Sequence, residues 1–534
     1  MAKDISRRDF MKSMAAGTMG AVAAGFLSGS SLYTRAEEAS SDSETSVGTR
    51  YTKASNPDEI GIVHDAASEE DVDVVVVGSG IGGLVCAMIT AEQNPDAKII
   101  IAEARGYCGG GTNFAEQCDM PGTGLDWVSA LQYGDEVAAE TNFVKNARLN
   151  AELKYDLGRN SSWLFTKHAV PLTIRSFERL KSGLDKMENG EAITAWQPIV
   201  CYEGGSGALT VKRLVAEIDE NETYANVEIR LNTRAIALLQ EDEYNVTGVQ
   251  VLDENDEYVN LNAKAVVLAC GGMSNNLELL QNYSNQELSH CISVEQGHNG
   301  DGMVMAEQTA HGRAKTIALS SMQAGVDGMH YQSWLNLAVG QTKTTLYVNQ
   351  EGLRFANEDI SRASGEGGVN KSKLIEGEGA VYSILGSNLL EYYKENKVDA
   401  NSFYGNGQED REFDLDAELE AYADNENIFT ADTIEELAEK IGVSAENLVE
   451  TVATYDADAA AGTGESVVGV AAYYVVAIGG APYYAFKLKS IIVNTNAGVR
   501  VDHDCRVVDQ DYNPVNGLYA AGLTISGFVT DVYE

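Results

Sequence analysis

Three glycines that follow an apolar run are the residues whose type and spacing point most directly to chemistry. Gly78, Gly80 and Gly83 form the pattern G-x-G-x-x-G. In this pattern the first glycine permits a tight turn, the second lets a pyrophosphate approach the backbone, and the third lets a helix pack closely on the preceding strand. We therefore predict dinucleotide contacts along the whole loop. Its residues are Gly78, Ser79, Gly80, Ile81, Gly82 and Gly83.

The elements around this loop have the order that such a site needs. Residues 73–77 are a continuous apolar run, typical of a buried parallel strand. A predicted helix over residues 84–93 follows, and a second strand over 98–102 ends at Glu103, twenty residues after the last glycine. A carboxylate there can accept hydrogen bonds from a ribose hydroxyl, so Glu103 and Ala104 are predicted cofactor contacts. The alternative is a glycine-rich turn in another kind of α/β protein.

A second glycine cluster favours FAD over NAD. Residues 109–113 read G-G-G-T-N and supply further backbone N–H groups where a longer dinucleotide must continue. Predicted contacts in this cluster are Gly110, Gly111, Thr112 and Asn113. The chain contains one such fingerprint, which argues against a separate nicotinamide-binding domain.

The net charge and the spacing of cysteines and histidines exclude several kinds of partner and cofactor. With 80 acidic and 38 basic residues the formal net charge is −42, which argues against nucleic acid as a partner. The seven cysteines show no C-x-x-C spacing, and the seven histidines show no metal-ligand spacing. We therefore predict no metal, no iron–sulfur cluster and no attached haem.

The N-terminus has the pattern of an export address. Residues 6–12 read S-R-R-D-F-M-K, close to the twin-arginine pattern, and a short apolar run follows to about Leu27. We predict a signal segment over residues 1–35, recognised by the twin-arginine export machinery, and a polar linker over 36–70. The protein is then expected in the periplasm or at the outer face of the cytoplasmic membrane. No clear cleavage site is visible, so release and retention as an anchor both stay open.

From about Asp71 to its end the sequence resembles the fumarate reductase-like flavoproteins, which include urocanate reductases and 3-ketosteroid dehydrogenases. The matching motifs are residues 263–272 (A-K-A-V-V-L-A-C-G-G), Gly300-Asp301-Gly302, residues 349–358 (N-Q-E-G-L-R-F-A-N-E) and residues 517–522 (G-L-Y-A-A-G). The resemblance implies further FAD contacts. These are Gly271, Gly272, Asp301 and Gly522.

The resemblance also implies the fold class, which is α/β. A Rossmann-like FAD-binding domain built from two parts of the chain, residues 71–322 and 481–534, would hold an inserted α+β capping domain over 323–480. In members of the family a longer glycine-rich loop and a final helix follow the last of these motifs. This chain is therefore expected to be shortened at its C-terminus, with part of the flavin pocket left open.

The resemblance also implies a reaction, in which a hydride passes from flavin N5 to an electron-poor C=C bond and an arginine donates the proton. The spacing after R-F-x-N-E places that arginine at Arg362. Its pKa is far above neutral, so it could act as an acid only in a dry, closed site. The alternative is that Arg362 pairs with an acid on the surface of the cap.

Three departures from the family argue against fumarate as the substrate. Gly325 stands where the family has a substrate-binding histidine, Ala338 and Gln341 replace its relay glutamate and arginine, and residues 493–494 replace a later histidine pair. A dicarboxylate needs several paired cations when it is buried.

The resemblance suggests Gln323, the first residue of the family's Q-x-H motif, as a substrate contact. It also suggests Tyr484, which lies where ketosteroid dehydrogenases carry an active-site tyrosine, although packing is the other reading of this residue. His330 and Tyr331 are candidates because of their position early in the cap.

We therefore predict an exported FAD-dependent reductase of an activated C=C bond in a small organic molecule. Its electrons would come from a separate donor protein or from membrane quinol, since no haem or cluster motif is present. Two alternatives stay open at this point. One is a 3-ketosteroid-type dehydrogenase, and the other is a degenerate flavoprotein without activity.

Overall fold

A computed structural model describes part of the chain, and every structural statement below concerns that part. The described residues are 60–114, 117–118, 131, 151, 172–174, 200–202, 207–283, 291–293, 297–311, 319–329, 333–340, 342, 344–355, 358, 380–396, 413–462, 475–495 and 498–525. The predicted signal segment, Arg362, His330 and Tyr331 lie outside them. In this part of the chain, no helix is both long and apolar enough to cross a membrane.

The dinucleotide fingerprint opens a strand–helix–strand unit, as predicted. Strand β1 (Ser68–Val77) leads into helix α1 (Ile81–Gln93), and strand β2 (Ile99–Ala102) follows. The residues from Val74 to Val77 are almost fully buried because parallel strands flank β1 on both sides. Helix α1 begins three residues earlier than its apolar pattern suggests, since two loop glycines form its first turn.

The remaining strands of the large sheet come from distant parts of the chain. The sheet has the order β16-β17-β8-β9-β1-β2-β6, with β7 paired to β8. These strands are β6 (Val227–Arg230), β7 (Arg234–Asp242), β8 (Asn245–Leu252), β9 (Tyr258–Leu268), β16 (Arg506–Val508) and β17 (Pro514–Ala520). β17 runs parallel to β9, whereas β7, β8 and β9 form an antiparallel meander. The late G-L-Y-A-A-G motif thus returns to the strand that precedes the Cys270-Gly271-Gly272 turn.

A short segment before β1 is attached to the antiparallel meander. The side-chain amide of Gln250 donates to the backbone carbonyl of His64 (2.8 Å) and accepts from its N–H (2.7 Å). The His64 ring stacks on Tyr258, with 4.2 Å between ring centroids. Residues 60–64 and the first residues of β1 therefore belong to the fold, although the sequence placed them in a linker.

A second sheet contains strands of the other half of the chain. Its order is β10-β15-β13-β12, and β11 and β14 both pair with β15. The strands are β10 (Cys291–Ser293), β11 (Leu319–Val326), β12 (Leu346–Val348), β13 (Val381–Leu385), β14 (Ile428–Ala431) and β15 (Tyr483–Thr495). A small third sheet is formed by β3 (Gln117–Cys118), β4 (Leu172–Ile174) and β5 (Val200–Tyr202), in the order β3-β5-β4.

Eight further helices lie in the described part of the chain. They are α2 (Gly207–Glu220), α3 (Leu277–Tyr283), α4 (Asp301–Ala306), α5 (Trp334–Gly340), α6 (Ser387–Asn396), α7 (Leu415–Ala421), α8 (Ile434–Ile441) and α9 (Ala445–Ala461). The hydroxyls of Thr433 and Ser444 accept backbone N–H bonds at the starts of α8 and α9. The buried residues of α8, such as Leu437 and Ile434, form the apolar face by which this helix packs.

The chain divides into two compact units. Unit 1 comprises the described residues within 1–285, 295–319 and 494–530, and unit 2 those within 286–294, 320–493 and 531–534. Unit 1 contains the large sheet and unit 2 the second sheet. The insertion was predicted over residues 323–480, so unit 2 extends beyond it at both ends because β11 and β15 pair with each other.

Burial of a histidine in unit 1 leads to a pH prediction. Burial lowers the pKa of His311 from 6.5 to about 4. Its contribution to stability is therefore fully present above about pH 6.5 and is lost as the pH falls through about 4. We expect the free energy of unfolding to fall by up to about 3 kcal/mol over this window because of His311. Denaturant unfolding of the protein and of His311→Gln at several pH values measures this, and an equal fall in both would contradict it.

Candidate functional site

A cleft in unit 1 opens where β1, β2 and β9 end. The empty space in it is about 1040 Å³ when its open mouth is included. The carboxyl edge of a parallel sheet is where dinucleotides bind in folds of this kind. The cleft is lined by Val77, Gly78, Ser79, Gly80, Ile81, Gly82, Ala102, Glu103, Ala104, Arg105, Gly110, Gly111, Thr112, Arg234, Ala235, Ala269, Cys270, Gly271, Gly297, His298, Asn299, Asp301, Gly522 and Leu523.

Two fingerprint glycines are required by close backbone contacts. Gly78 has a φ of +101°, and a Cβ atom on it would lie 2.6 Å from the carbonyl oxygen of Ala269. A Cβ on Gly83 would lie 2.0 Å from the carbonyl oxygen of Gly78. Gly83 therefore lets α1 lie directly against the turn, and it does not line the cleft.

Glu103 is held in place by the fingerprint loop. Its side chain is buried, one oxygen accepts the backbone N–H of Ser79 at 3.0 Å together with the Ser79 hydroxyl, and the other accepts the N–H of Arg105 at 2.9 Å. A carboxylate oxygen can accept two hydrogen bonds, so the oxygen bonded to Arg105 keeps capacity for one more. Glu103 thus fits the predicted role of accepting from a ribose hydroxyl.

The second glycine cluster forms a 3₁₀ turn over Gly110–Phe114 next to the start of α1. The hydroxyl of Thr112 accepts the backbone N–H of Ile81 at 3.0 Å, which joins the turn to the fingerprint loop. Asn113 instead donates to the carbonyl of Cys108 at 3.0 Å and shapes the turn without lining the cleft. A Cβ on Gly110 would meet nothing within 4 Å, so its backbone faces open space.

The turn after β9 forms the opposite side of the cleft. Gly271 has a φ of +83°, and a Cβ there would lie 2.5 Å from the imidazole of buried His298. Gly272 packs against the Thr495 hydroxyl and does not line the cleft. Cys270 lines the cleft, and burial raises the pKa of its thiol to about 12. This thiol therefore stays neutral at physiological pH.

Asp301, from the Gly300-Asp301-Gly302 motif, lines the cleft. It accepts two hydrogen bonds from Arg234, one from Nε at 2.9 Å and one from Nη2 at 2.8 Å. Arg234, His298 and Arg105 all line the cleft, and the sequence interpretation did not single them out. Arg105 lies two residues after Glu103, and this nearness was a signal that could have identified it.

The predicted contacts meet in this one cleft with three exceptions, which are Gly83, Asn113 and Gly272. The substrate candidates are elsewhere or outside the described residues. The backbone of Gln323 lies in β11, and Tyr484 lies in β15 between β13 and β14, with its ring stacked near Phe486. Both belong to unit 2.

The cleft suits FAD on the chemistry of its lining. Glycine backbones leave room at the fingerprint and at Gly110 and Gly522, where an added Cβ would meet nothing within 4 Å at either of the latter two. Glu103 offers an acceptor to a ribose, and the start of a buried helix offers N–H groups to phosphates. In the described part of the chain, no group of three or more His, Cys, Asp or Glu residues is placed to hold a metal ion.

The fold and this cleft define a dinucleotide-binding flavoprotein. The family model described as an FAD binding domain matches residues 73–534, and the chain belongs to this family. Its cofactor is FAD, as the sequence predicted.

Related proteins define the class of reaction. The chain is 26% identical over 484 residues to a vinyl phenol reductase of Lactiplantibacillus plantarum, covering 88% of this chain and 92% of the relative. It is 25% identical over 477 residues to a urocanate reductase of Eggerthella lenta, covering 85% and 69%. A solved structure of a flavocytochrome c3 fumarate reductase in its open conformation shares the fold, with a TM-score of 0.60 at 21% identity over 87% of this chain and 74% of that one. The chain is thus an FAD-dependent oxidoreductase acting on CH–CH bonds.

A substitution of the second fingerprint glycine, Gly80, should weaken cofactor binding without affecting folding. A Cβ on Gly80 would make only ordinary contacts, at 3.6 Å to the Thr112 hydroxyl and 3.7 Å to the Gly109 carbonyl. We expect Gly80→Ala to fold normally but to bind FAD about 10- to 100-fold more weakly, because the methyl group occupies space that the pyrophosphate needs. Flavin fluorescence released on dilution measures the affinity. Wild-type FAD affinity in this variant would contradict the placement of the pyrophosphate.

Proposed function

We propose that this protein reduces an activated C=C bond in a small, largely apolar organic molecule. The observation that supports it best is the match to a vinyl phenol reductase over nearly the full length of both chains. Bound FAD supplies the hydride from its N5 position. The protein must then hold the acceptor against the flavin, exclude water and deliver one proton to the neighbouring carbon.

Arg362 is the proposed proton donor, on the strength of the R-F-x-N-E motif that precedes it. The described end of this motif is firmly held. Arg354 and Glu358 form a buried ion pair within unit 2, with side chains 4% and 0% exposed. The Arg354 guanidinium also lies 5.0 Å from the ring centre of Tyr455. This ion pair fixes the described end of the motif from which the spacing to Arg362 is counted.

A small or apolar substrate is favoured by the surroundings of Gly325. A Cβ on this residue would lie 2.5 Å from Ile491 and 2.9 Å from the side chain of Asn336. Asn336 is fully buried, and its carbonyl oxygen accepts the backbone N–H of Val326 at 2.9 Å. The position of the family's histidine is therefore filled by its neighbours, and Ala338 is likewise fully buried. A binding site for two carboxylates would need other cations.

The rival within the same class is oxidation of a steroid-like substrate. It is supported by 27% identity over 319 residues to a 3-oxosteroid 1-dehydrogenase of Mycobacterium tuberculosis, which covers 56% of this chain and 54% of that protein. A pocket with few cations suits this substrate as well. The shorter match is the reason that we place it second.

Export by the twin-arginine pathway and a separate electron donor are parts of the same proposal. The S-R-R-D-F-M-K pattern supports export, since this pathway carries proteins that fold around a cofactor first. Electrons would arrive from a donor protein or from membrane quinol. Fusion of the first 35 residues to a reporter that is active only outside the cytoplasm tests export, with Arg7→Lys/Arg8→Lys as the control variant.

The activity is tested by reoxidation of the photoreduced holoenzyme under anaerobic conditions, followed by flavin absorbance. The acceptors are 4-vinylphenol, a cinnamate, urocanate, fumarate and a 1-ene-3-ketosteroid. We expect a vinylphenol or enoate to reoxidise the flavin at least about 100-fold faster than fumarate, the equivalent of about 3 kcal/mol in the barrier. Fumarate as the best acceptor would overturn the substrate proposal. A Δ1-steroid product from the oxidised enzyme would favour the rival.

A further inference from the structure

Arg234 combines deep burial with an incomplete set of hydrogen bonds. It is 6% exposed at the start of β7, and it lines the FAD cleft. Nε and Nη2 both bind the carboxylate of Asp301. Nη1 is buried, and among the described residues it has no hydrogen-bond partner. A buried N–H of a charged group without an acceptor is costly, so its persistence calls for an acceptor that arrives with a ligand.

The backbone places Arg234 beside the adenosine end of the cleft. The N–H of Asn232 donates to the carbonyl of Arg105 at 2.9 Å, and the N–H of Thr233 donates to the carbonyl of Glu103 at 2.8 Å. The two residues before Arg234 are thus bonded to the segment that carries the ribose carboxylate. By the logic of the dinucleotide fingerprint, that carboxylate marks the ADP half of the cofactor.

We propose that Arg234 binds the ADP half of FAD directly, through Nη1, while Asp301 holds the guanidinium in position. The chemistry suits this role because Arg is permanently protonated, and its planar fork can bind a carboxylate on one side and a phosphate or ribose oxygen on the other. The carboxylate also offsets the charge of Arg234 in the absence of ligand. The Arg234–Asp301 pair is therefore a part of the cofactor site and does more than join β7 to α4.

A purely structural role for Arg234 makes a different prediction. In that case Arg234 would act only through Asp301, by orienting a carboxylate that itself binds the cofactor. Removing the arginine would then have no effect once Asp301 had been replaced. A double-mutant cycle on the two residues distinguishes the two roles.

The test measures two affinities in the full-length protein. FAD affinity comes from the flavin fluorescence released on dilution of the holoenzyme, and ADP affinity from competition against FAD. We expect Arg234→Gln to weaken both by about 10- to 100-fold, the usual effect of losing a charge-assisted hydrogen bond. The same loss should persist in the Asp301→Asn background, where no carboxylate is left unpaired. Arg230→Gln, in strand β6 just before β7 in the chain, removes a half-buried arginine that does not line the cleft, and it should change neither affinity.

Three results would overturn the proposal. One is an unchanged ADP affinity in Arg234→Gln together with weaker FAD binding, since the contact would then lie in the flavin half. Another is the disappearance of the Arg234→Gln effect in the Asp301→Asn background. The third is an equal loss in Arg230→Gln, which would indicate general damage. If Arg234→Gln does not fold, Arg234→Lys in the Asp301→Asn background provides the same comparison, with an expected loss of at least threefold in ADP affinity.

Discussion

Replacing Glu358 by alanine is expected to destabilise unit 2 by about 3–5 kcal/mol, because it leaves the guanidinium of Arg354 buried without its carboxylate. The side chain of Glu358 is completely buried. It accepts two hydrogen bonds from Arg354 and a weaker one from the backbone N–H of Tyr347 at 3.3 Å. The aromatic contact with Tyr455 cannot replace these bonds, since a cation–π interaction contributes only about 1–2 kcal/mol. Denaturant unfolding followed by tryptophan fluorescence measures the loss.

Glu391→Ala is the matched control for this change. Glu391 also pairs with a basic residue one helical turn away, but it is 63% exposed, and its partner Lys394 keeps a second acid in Asp416. We expect this control to lower the unfolding free energy by no more than about 0.5 kcal/mol. A Glu358→Ala effect as small as that of the control would show that water or another acid compensates Arg354.

Gly83→Ala is expected to lower the free energy of unfolding of unit 1 by about 3 kcal/mol, with loss of bound flavin. Two effects compete at this position. Alanine favours a helix over glycine by about 1 kcal/mol, which alone would stabilise α1. The new Cβ would lie 2.0 Å from the Gly78 carbonyl oxygen, and the backbone of a tight turn cannot move away as a flexible side chain can. Overpacking of this kind costs up to about 3 kcal/mol or more, so the clash outweighs the helix propensity.

Gly106→Ala is the control for the second prediction. A Cβ there would meet only the Asn232 side chain, at 3.4 Å, and its φ does not lie in the left-handed region. Thermal unfolding of the holo and apo proteins is the measurement. If Gly83→Ala retains flavin and unfolds at the wild-type temperature, α1 does not pack on the loop as described. The contrast with Gly80→Ala, which should lose flavin without losing stability, separates the roles of two glycines three residues apart.

Local patterns in the sequence were enough to predict the strand–helix–strand unit and its side of the cofactor cleft. The fold class and the contacts at Gly271, Asp301 and Gly522 were predicted from the resemblance to the family. The fingerprint predicts this unit correctly because its strand, turn and helix are adjacent in the chain. The spacing of its glycines also matches the positions where a Cβ atom would clash with the backbone. The same logic explains why α1 begins earlier than predicted. Glycine is a poor helix former, but Gly83 is helical because its close approach to β1 and the turn after it leaves no room for a Cβ.

Contacts between distant segments could not be predicted in this way. Arg234 and Asp301 are 67 residues apart in the sequence, and no local pattern predicts that their side chains form hydrogen bonds. Gly325 was recognised as a missing histidine, but the sequence could not show that Ile491 and Asn336 fill its place. The assignments of Arg362, His330 and Tyr331 lie outside the described residues and stay predictions.

The attachment of residues 60–64 to the meander has a practical consequence for shortened versions of this protein. A domain boundary drawn at residue 71 from composition alone would remove the partner of the fully buried Gln250 amide and uncover the face of the Tyr258 ring. It would also remove the first three residues of β1, which pair with β9. An expression start at or before residue 60 keeps these interactions, so trimming of the predicted signal segment and linker should stop there.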